Sequence, residues 1–434
     1  MKTKFLFLAG LLLSSLLSHG QVWSPVGIGP TGRVGALVVY NSELYAGGLF
    51  AFNPDTTRDV LKWNDTVWTS AKRKVTNNVY AFAVYNSELY AGGHQSSDPQ
   101  HLSTISSWNG VTWSNVGAGL GNGVGAEYVA ALAVYNGNLY AGGMFPSIGG
   151  TSNIAKWDGV SWTAVGLGVN GVVLSLMVYN GELYACGAIT MAGGIPVNYI
   201  ARWNDTTWSA VGAGMNNVVR ALAVYNNELY AGGQFTAADG NAANKIARWN
   251  GTMWSAAGTG MDNSIQALAV HNAALYAGGS FIIAGGNLAS RVARWDGTAW
   301  AALGAGMNDD VWAFGIYNGS LYAGGLFTAA DNNVANYIAR FNDAAVGINE
   351  NVIPNTLTIS PNPSSTATTI HINGMVAAVN LCIYNVSGQE IKCIENISGG
   401  EVIIERNSLP CGIYLIRVLC GEEMIASGKL VITE

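Results

Sequence analysis

Residues 218–261 read VVRALAVYNNELYAGGQFTAADGNAANKIARWNGTMWSAAGTGM, and variants of this unit recur along the 434-residue chain. The most constant phrase is Leu-Tyr-Ala-Gly-Gly, starting at Leu44, Leu89, Leu139, Leu183, Leu229, Leu275 and Leu321, with Cys186 replacing the first glycine in one copy. Its tyrosines, Tyr45, Tyr90, Tyr140, Tyr184, Tyr230, Tyr276 and Tyr322, are 44 to 50 residues apart. A fixed period of this size marks a stacked or circular array and outranks any local reading. Within the quoted unit, Ala221 to Tyr225 alternates and is β-prone, and Asn226-Asn227 leads into Glu228 to Phe235. A loop, Thr236 to Lys245, precedes Ile246 to Trp249, and Asn250-Gly251 precedes Thr252 to Ala256. Two apolar runs joined by Asn-Gly, Asn-Asn or Asp-Gly predict hairpins with type I′ turns, which need φ > 0 at both central residues. The first turn recurs as Asn136-Gly137, Asn180-Gly181 and Asn318-Gly319, and the second as Asn109-Gly110, Asp158-Gly159 and Asp296-Gly297. Each unit is therefore four short antiparallel strands.

One such sheet cannot bury both faces. Packing neighbours around an axis solves the problem, as in a β-propeller, whereas a linear solenoid needs polar capping repeats. The chain ends favour the ring. The last unit stops at Phe341-Asn342-Asp343 without its tryptophan strand, while Val22-Trp23-Ser24-Pro25-Val26-Gly27 matches Thr207-Trp208-Ser209-Ala210-Val211-Gly212. The expectation is an all-β, seven-bladed propeller of four-stranded blades closed by the N-terminal strand over residues 21–346. The order of a strand ending in Gly-Gly, a loop, a strand ending in an aromatic, a turn and a Trp strand resembles the Kelch repeat family. Two departures stand out. Only four residues separate Trp249 from Trp254, and the arginine common before the first Kelch strand is mostly missing.

Charged residues make up 11% of the chain, against about a quarter in ordinary globular proteins. Half of all residues are apolar, which excludes a disordered chain. The net charge of −6 is spread out, with no basic run beyond Lys72-Arg73-Lys74, so a nucleic-acid partner is not expected. Residues 1–20 read as a signal peptide: Lys2 and Lys4, an apolar core from Phe5 to Leu17, and a small-residue cleavage site at Ser18-His19-Gly20. No other stretch has the length of a transmembrane helix.

Composition changes after Asp343. Residues 347–354 read as a linker, and residues 355–434 as a second all-β unit. Its landmarks are Pro361-Asn362-Pro363, a hairpin at Ser387-Gly388, Leu409-Pro410 with Gly412-Ile413-Tyr414, and a closing Lys429-Leu430-Val431-Ile432. This pattern resembles the C-terminal sorting domain of cargo exported by the type IX secretion system of Bacteroidetes. The resemblance implies a small immunoglobulin-like β-sandwich, recognition by outer-membrane secretion machinery, and a secreted or outer-membrane surface-attached product. A generic adhesive sandwich is the alternative. A two-residue turn at Ser387-Gly388 places Cys382 opposite Cys393, close enough to bridge, and export permits disulfides. Cys411 and Cys420 lie at the two ends of one strand and should not pair with each other.

The propeller offers little chemistry. His271 replaces a recurrent tyrosine, the counterpart of Tyr225, and reads as structural. His94 and His101 flank a polar loop with Asp98 and read as solvated rather than as a converging metal cluster. Cys186 is the one propeller cysteine, too little for a copper oxidase of the galactose-oxidase type. Arg202, Arg248, Arg294 and Arg340 share one repeat position, which reads as structural rather than as a sialidase triad. No unit concentrates the paired carboxylates of a glycoside hydrolase. No cofactor is expected, calcium at Asp239-Gly240-Asn241 or Asp331-Asn332-Asn333 being a weak suggestion without a ligand at the loop's end. Trp249 and Trp254 recur and read as interblade packing. Variation is the better functional signal. The position just before the first strand's small residue holds Gly35, Tyr80, Ala130, Leu174, Arg220, Gln266 and Trp312. The expectation is a monomeric surface-binding or adhesion protein whose loop-rich channel rim, with Tyr80, Arg220, Gln266 and Trp312, meets a glycan or protein. A glycan-active hydrolase or lyase is the alternative.

Overall fold

A computed structural model describes residues 21–52, 55–71, 78–94, 104–121, 127–146, 152–343, 357–372, 378–385, 389–406, 409–420 and 423–433. The signal-peptide reading of residues 1–20 and the linker reading of 347–354 lie outside them. The chain divides into two units, Met1–Ala345 and Val346–Glu434. Among the described residues the first unit contains seven four-stranded antiparallel sheets. Their first strands are Arg33–Tyr40, Val79–Tyr85, Tyr128–Tyr135, Val173–Tyr179, Val219–Tyr225, Ile265–His271 and Val311–Tyr317. Each first strand is an edge of its sheet and packs against the first strands of the two neighbouring sheets, with Val311–Tyr317 returning to Arg33–Tyr40. The first strands therefore line the inside of a closed ring of blade-like sheets. The seventh sheet takes its fourth strand from the other end of the unit. Gln21–Pro25 pairs antiparallel with Ile338–Asp343, Trp23 opposite Phe341, just as Trp254 lies opposite Trp249 in the fifth sheet.

The Leu-Tyr-Ala-Gly-Gly phrase follows from the seams between sheets. Tyr225, Tyr230 and Ile246 of the fifth sheet share a core with Ile265, Leu275, Phe281, Trp295 and Trp300 of the sixth. A Cβ on Gly232 would lie 2.6 Å from Ile265 of the next sheet, and one on Gly233 would lie 2.3 Å from the Val218 carbonyl oxygen. The first glycine lets the next sheet approach, and the second lets the hairpin close. Tryptophans latch six of the seven seams, the Trp23 indole N–H of the seventh sheet being buried without a partner. The indoles of Trp68, Trp113, Trp162, Trp208, Trp254 and Trp300 donate to the backbone oxygens of Val26, Ala71, Val116, Val165, Val211 and Ala257 of the preceding sheet's connection, at 2.8–3.1 Å. Tyrosine hydroxyls latch the opposite face. Tyr40, Tyr85, Tyr135, Tyr179 and Tyr225 donate at 2.8–3.2 Å to carbonyls in the first turn of the next sheet. His271 fills the same position in the sixth sheet, buried beside Tyr276.

The two turns of each sheet differ. In the first, both residues are left-handed, as in Asn226 (φ 48°) and Asn227 (φ 60°), as a type I′ turn requires. The second is not a type I′ turn. Trp249 pairs with Trp254, leaving a four-residue connection in which Gly251 (φ 102°) is left-handed and Asn250 is not. The Asn250 side chain instead accepts from the backbone N–H of Thr252 and Met253 at 2.9 and 3.0 Å. This Asx cap competes with the mirror-image turn.

The second unit packs a three-stranded sheet, Leu357–Ser360, Ala367–Ile372 and Glu401–Glu405, with a four-stranded sheet, Glu390–Ile397, Val379–Asn385, Gly412–Cys420 and Glu423–Ile432. Ile370, Ile404, Leu381, Ile383, Ile416 and Leu430 form the shared core. Asn362, between the two prolines, donates to Lys429 O and accepts from Val431 N–H at 2.6 and 2.8 Å, tying the proline turn to the last strand. Cys382 opposes Cys393 across the pair and is bonded to it. The Ser387-Gly388 turn lies outside the described residues. Next to the turn Asn385 faces Gln389 and Tyr384 faces Glu390, one residue off the register of a two-residue turn, and the slip between Ile383 and Tyr384 restores the register that sets Cys382 opposite Cys393.

Candidate channel-mouth site

The seven non-repeating residues share a backbone feature that sequence reading did not anticipate. In every first hairpin the register shifts once, between Val34 and Ala36, Val79 and Ala81, Val129 and Ala131, Val173 and Ser175, Val219 and Ala221, Ile265 and Ala267, and Val311 and Ala313. Gly35, Tyr80, Ala130, Leu174, Arg220, Gln266 and Trp312 are the extra, unpaired residues of seven equivalent β-bulges. A bulge turns a side chain out of the strand's alternation. The preceding residue, from Val34 to Val311, is β-branched and fully buried in all seven sheets.

All seven bulge residues line one cavity of about 470 Å³, joined by Tyr128 and Asp310. Tyr80, Arg220, Gln266 and Trp312 are thus brought together at one place. Tyr128 and Asp310 were missed by sequence reading. Both stand two residues before a bulge, in a second variable row of Arg33, Asn78, Tyr128, Val172, Val218, Ser264 and Asp310. The comparison that singled out the bulge row finds this one when moved two residues upstream.

The wall is uneven. Tyr80 and Tyr128 meet edge to face at 5.7 Å between centroids, and His94 stacks on Tyr128 at 5.6 Å. The reading of His94 as a solvated loop residue is therefore corrected: it bridges to Tyr128 of the next sheet and extends the aromatic wall. His101 and Asp98 lie outside the described residues. Burial raises the phenol pKa of both Tyr80 and Tyr128, with Arg33 and Arg220 respectively pulling them back, so both are neutral hydroxyls at ordinary pH. Asn78 donates to the Tyr80 hydroxyl at 2.6 Å. Across the cavity, Gln266 donates to Ser264 Oγ at 3.0 Å. Asp310 accepts from Ser280 Oγ at 2.6 Å and pairs with Arg291 at 3.4 Å. The guanidinium of Arg33 sits over the Trp312 ring at 5.2 Å, a cation–π contact.

The residues weighed for other chemistry lie elsewhere. Arg202 and Arg248 pair with Glu182 and Glu228 at 3.0 and 3.3 Å along their own sheets. Cys186 is fully buried in a seam, and burial pushes its thiol well above the usual range, which makes it inert. Asp239 accepts from the backbone N–H of Ala213 and Trp254 at 2.6 and 2.7 Å, and Asp331 accepts from Ala305 N–H at 2.6 Å and from Trp23 N–H. These carboxylates clamp backbone between elements. Among the described residues, the one group of metal-ligating side chains is Cys382, Glu390 and Cys393, and its two cysteines form the disulfide.

Residues 358–433 match the family model described as a secretion system C-terminal sorting domain. This chain is a secreted or outer-membrane surface-attached protein. No curated protein matches its sequence. Among solved structures, it is similar to PorZ, a bacterial surface component of the type-IX secretion system of Porphyromonas gingivalis, with a TM-score of 0.51 and 15% identity over 94% of this chain and 60% of that one. The chain thus spans 60% of the length of PorZ, and at this identity the likeness speaks for the fold. The WD40 β-propeller domain of Doa1 aligns with a TM-score of 0.44 and 16% identity, over 74% of this chain and 97% of that domain. No helix among the described residues is long and apolar enough to cross a membrane.

Proposed function

We propose that this protein is an extracellular binding or adhesion protein. In this reading the ring of sheets is a seven-bladed, Kelch-like propeller whose channel mouth meets a glycan or protein. An N-terminal signal peptide and an immunoglobulin-like sorting unit deliver it through the type IX machinery. The observation that carries the reading is the bulge row: seven residues of seven kinds converge on one cavity of about 470 Å³, while the residues before them stay β-branched and buried. That volume is of small-ligand size, and Trp, Tyr and Arg are strong contact residues. Among the described residues the lining holds a single carboxylate, Asp310, already engaged by Arg291, which favours binding over acid–base hydrolysis.

The test is a glycan and protein-ligand array probed with the full mature chain, recording retention and product release. Retention without release is expected, and the double variant Tyr80→Ala, Trp312→Ala should weaken it at least tenfold. Unchanged affinity in that variant would refute the site, and released product would point to a glycan-active enzyme.

A further inference from the structure

Resting on that reading of the channel mouth, we infer that its ligand is an acidic sugar, with a carboxylate on Arg220 and the pyranose ring against Tyr80 and Tyr128. Among the described residues Arg220 is the cation that lines the cavity; Arg33, over the Trp312 ring beside it, is likewise without an ion pair. Arg202 and Arg248 have glutamates, and Arg291 has Asp310. Arg220 lines the cavity, yet among the described residues it has no ion pair, and its Nε is buried without a hydrogen-bond partner. Burial lowers its pKa, an effect the neighbouring Tyr128 phenol opposes. A desolvated guanidinium without a counter-charge is costly, and the geometry of its fork matches a carboxylate bidentately.

The remaining lining narrows the class. The Arg220 fork offers one bidentate site for one carboxylate. Asp310, also at this cavity, is paired with Arg291 and so leaves Arg220 unneutralised. Tyr80 and Tyr128 supply ring surface for sugar C–H groups. The Tyr80 hydroxyl, which accepts from Asn78, keeps its own proton to donate to a sugar oxygen. Gln266 spends one N–H on Ser264 and keeps its carbonyl oxygen for a sugar hydroxyl. A peptide carboxylate would use Arg220 and leave these hydroxyl-matched groups unpaired.

The experiment is calorimetric titration of the mature chain with oligogalacturonate and oligoglucuronate, with their methyl esters, and with a peptide ending in a free carboxylate. Uronate binding is expected, with methyl esterification and Arg220→Gln each weakening it at least tenfold, and Arg220→Lys weakening it less. An unchanged thermal midpoint shows that the Arg220 variants are folded. Should they fail to fold, the esters alone decide, because they leave the protein intact. Equal affinity for acid and ester, indifference to Arg220→Gln in a folded variant, tighter peptide than uronate binding, or no uronate binding overturns the inference. If an array ligand still loses affinity in the Tyr80→Ala, Trp312→Ala variant, the channel mouth remains a binding site and only the acidic-sugar assignment falls. If that double variant leaves every detected affinity unchanged, both fall together.

Discussion

The seams between sheets and the mouth of the channel are written in the same repeat, yet they hold their residues by different rules. At a seam, the Trp254 indole donates to Val211 O at 2.9 Å, and Gly233 has a carbonyl oxygen 2.3 Å from where a Cβ would stand. Each side chain there is fixed by a specific neighbour, so the same residue returns in sheet after sheet. At the mouth, the bulge recurs in all seven sheets, but its side chain projects into open cavity. Backbone geometry is conserved from sheet to sheet while residue type is free, and this is where one ring can acquire a ligand without disturbing its core. The difference teaches that stability should respond at the seams and recognition at the mouth.

The largest separation should come from alkaline titration. Burial pushes the Tyr45 phenol up to about 12, and Tyr90, Tyr140, Tyr184, Tyr230 and Tyr322 are also raised chiefly by burial. The folded pKa values lie above the unfolded value of about 10. The native state therefore binds protons more tightly, and this stabilisation is full below pH ~10 and is lost as pH rises towards ~12. Unfolding followed by tryptophan fluorescence should accelerate steeply in that window, and a flat midpoint through it would count against buried seam phenols. Next, Trp254→Ala should cost about 3–5 kcal/mol in denaturant unfolding, since it removes a buried indole together with its hydrogen bond across the seam. Gly233→Ala should cost about 1–3 kcal/mol through overpacking against fixed backbone, and a neutral result would mean that the hairpin can open freely. The smallest effect is expected at the mouth: Gln266→Ala should stay within about 0.5 kcal/mol while altering ligand affinity. A large loss of stability there would erase the distinction between the two regions.

Much of the scaffold was legible before any coordinates. The period set the array, and the first hairpin turn was written in Asn-Gly and Asn-Asn. The match of Trp23 to Trp208 placed the N-terminal strand in the seventh sheet. The second turn misled because Asn250-Gly251 has the spelling of a type I′ turn. The Asn250 side chain instead caps two backbone N–H groups, a competition that a dipeptide cannot reveal. The variable row was visible as a failure to repeat, but the bulge behind it was not, since a bulge is a property of two paired strands. Tyr128, Asp310 and His94 escaped for a related reason. Tyr128 and Asp310 line the cavity two residues before a bulge, and His94 meets Tyr128 of the next sheet, placements that no single repeat displays.

The sequence by itself determined the strands, the ring that must bury them, the sorting unit at the C-terminal end and the positions free to vary, because periodicity, turn chemistry and apolar patterning are local. Tertiary structure decided where those free positions point. Only the closed ring brings Tyr80, Tyr128, Arg220, Gln266, Asp310 and Trp312 from five sheets to one cavity, and only there does Arg220 become a half-buried cation without a counter-charge. Convergence and desolvation are properties of the assembled ring, and no single repeat carries either.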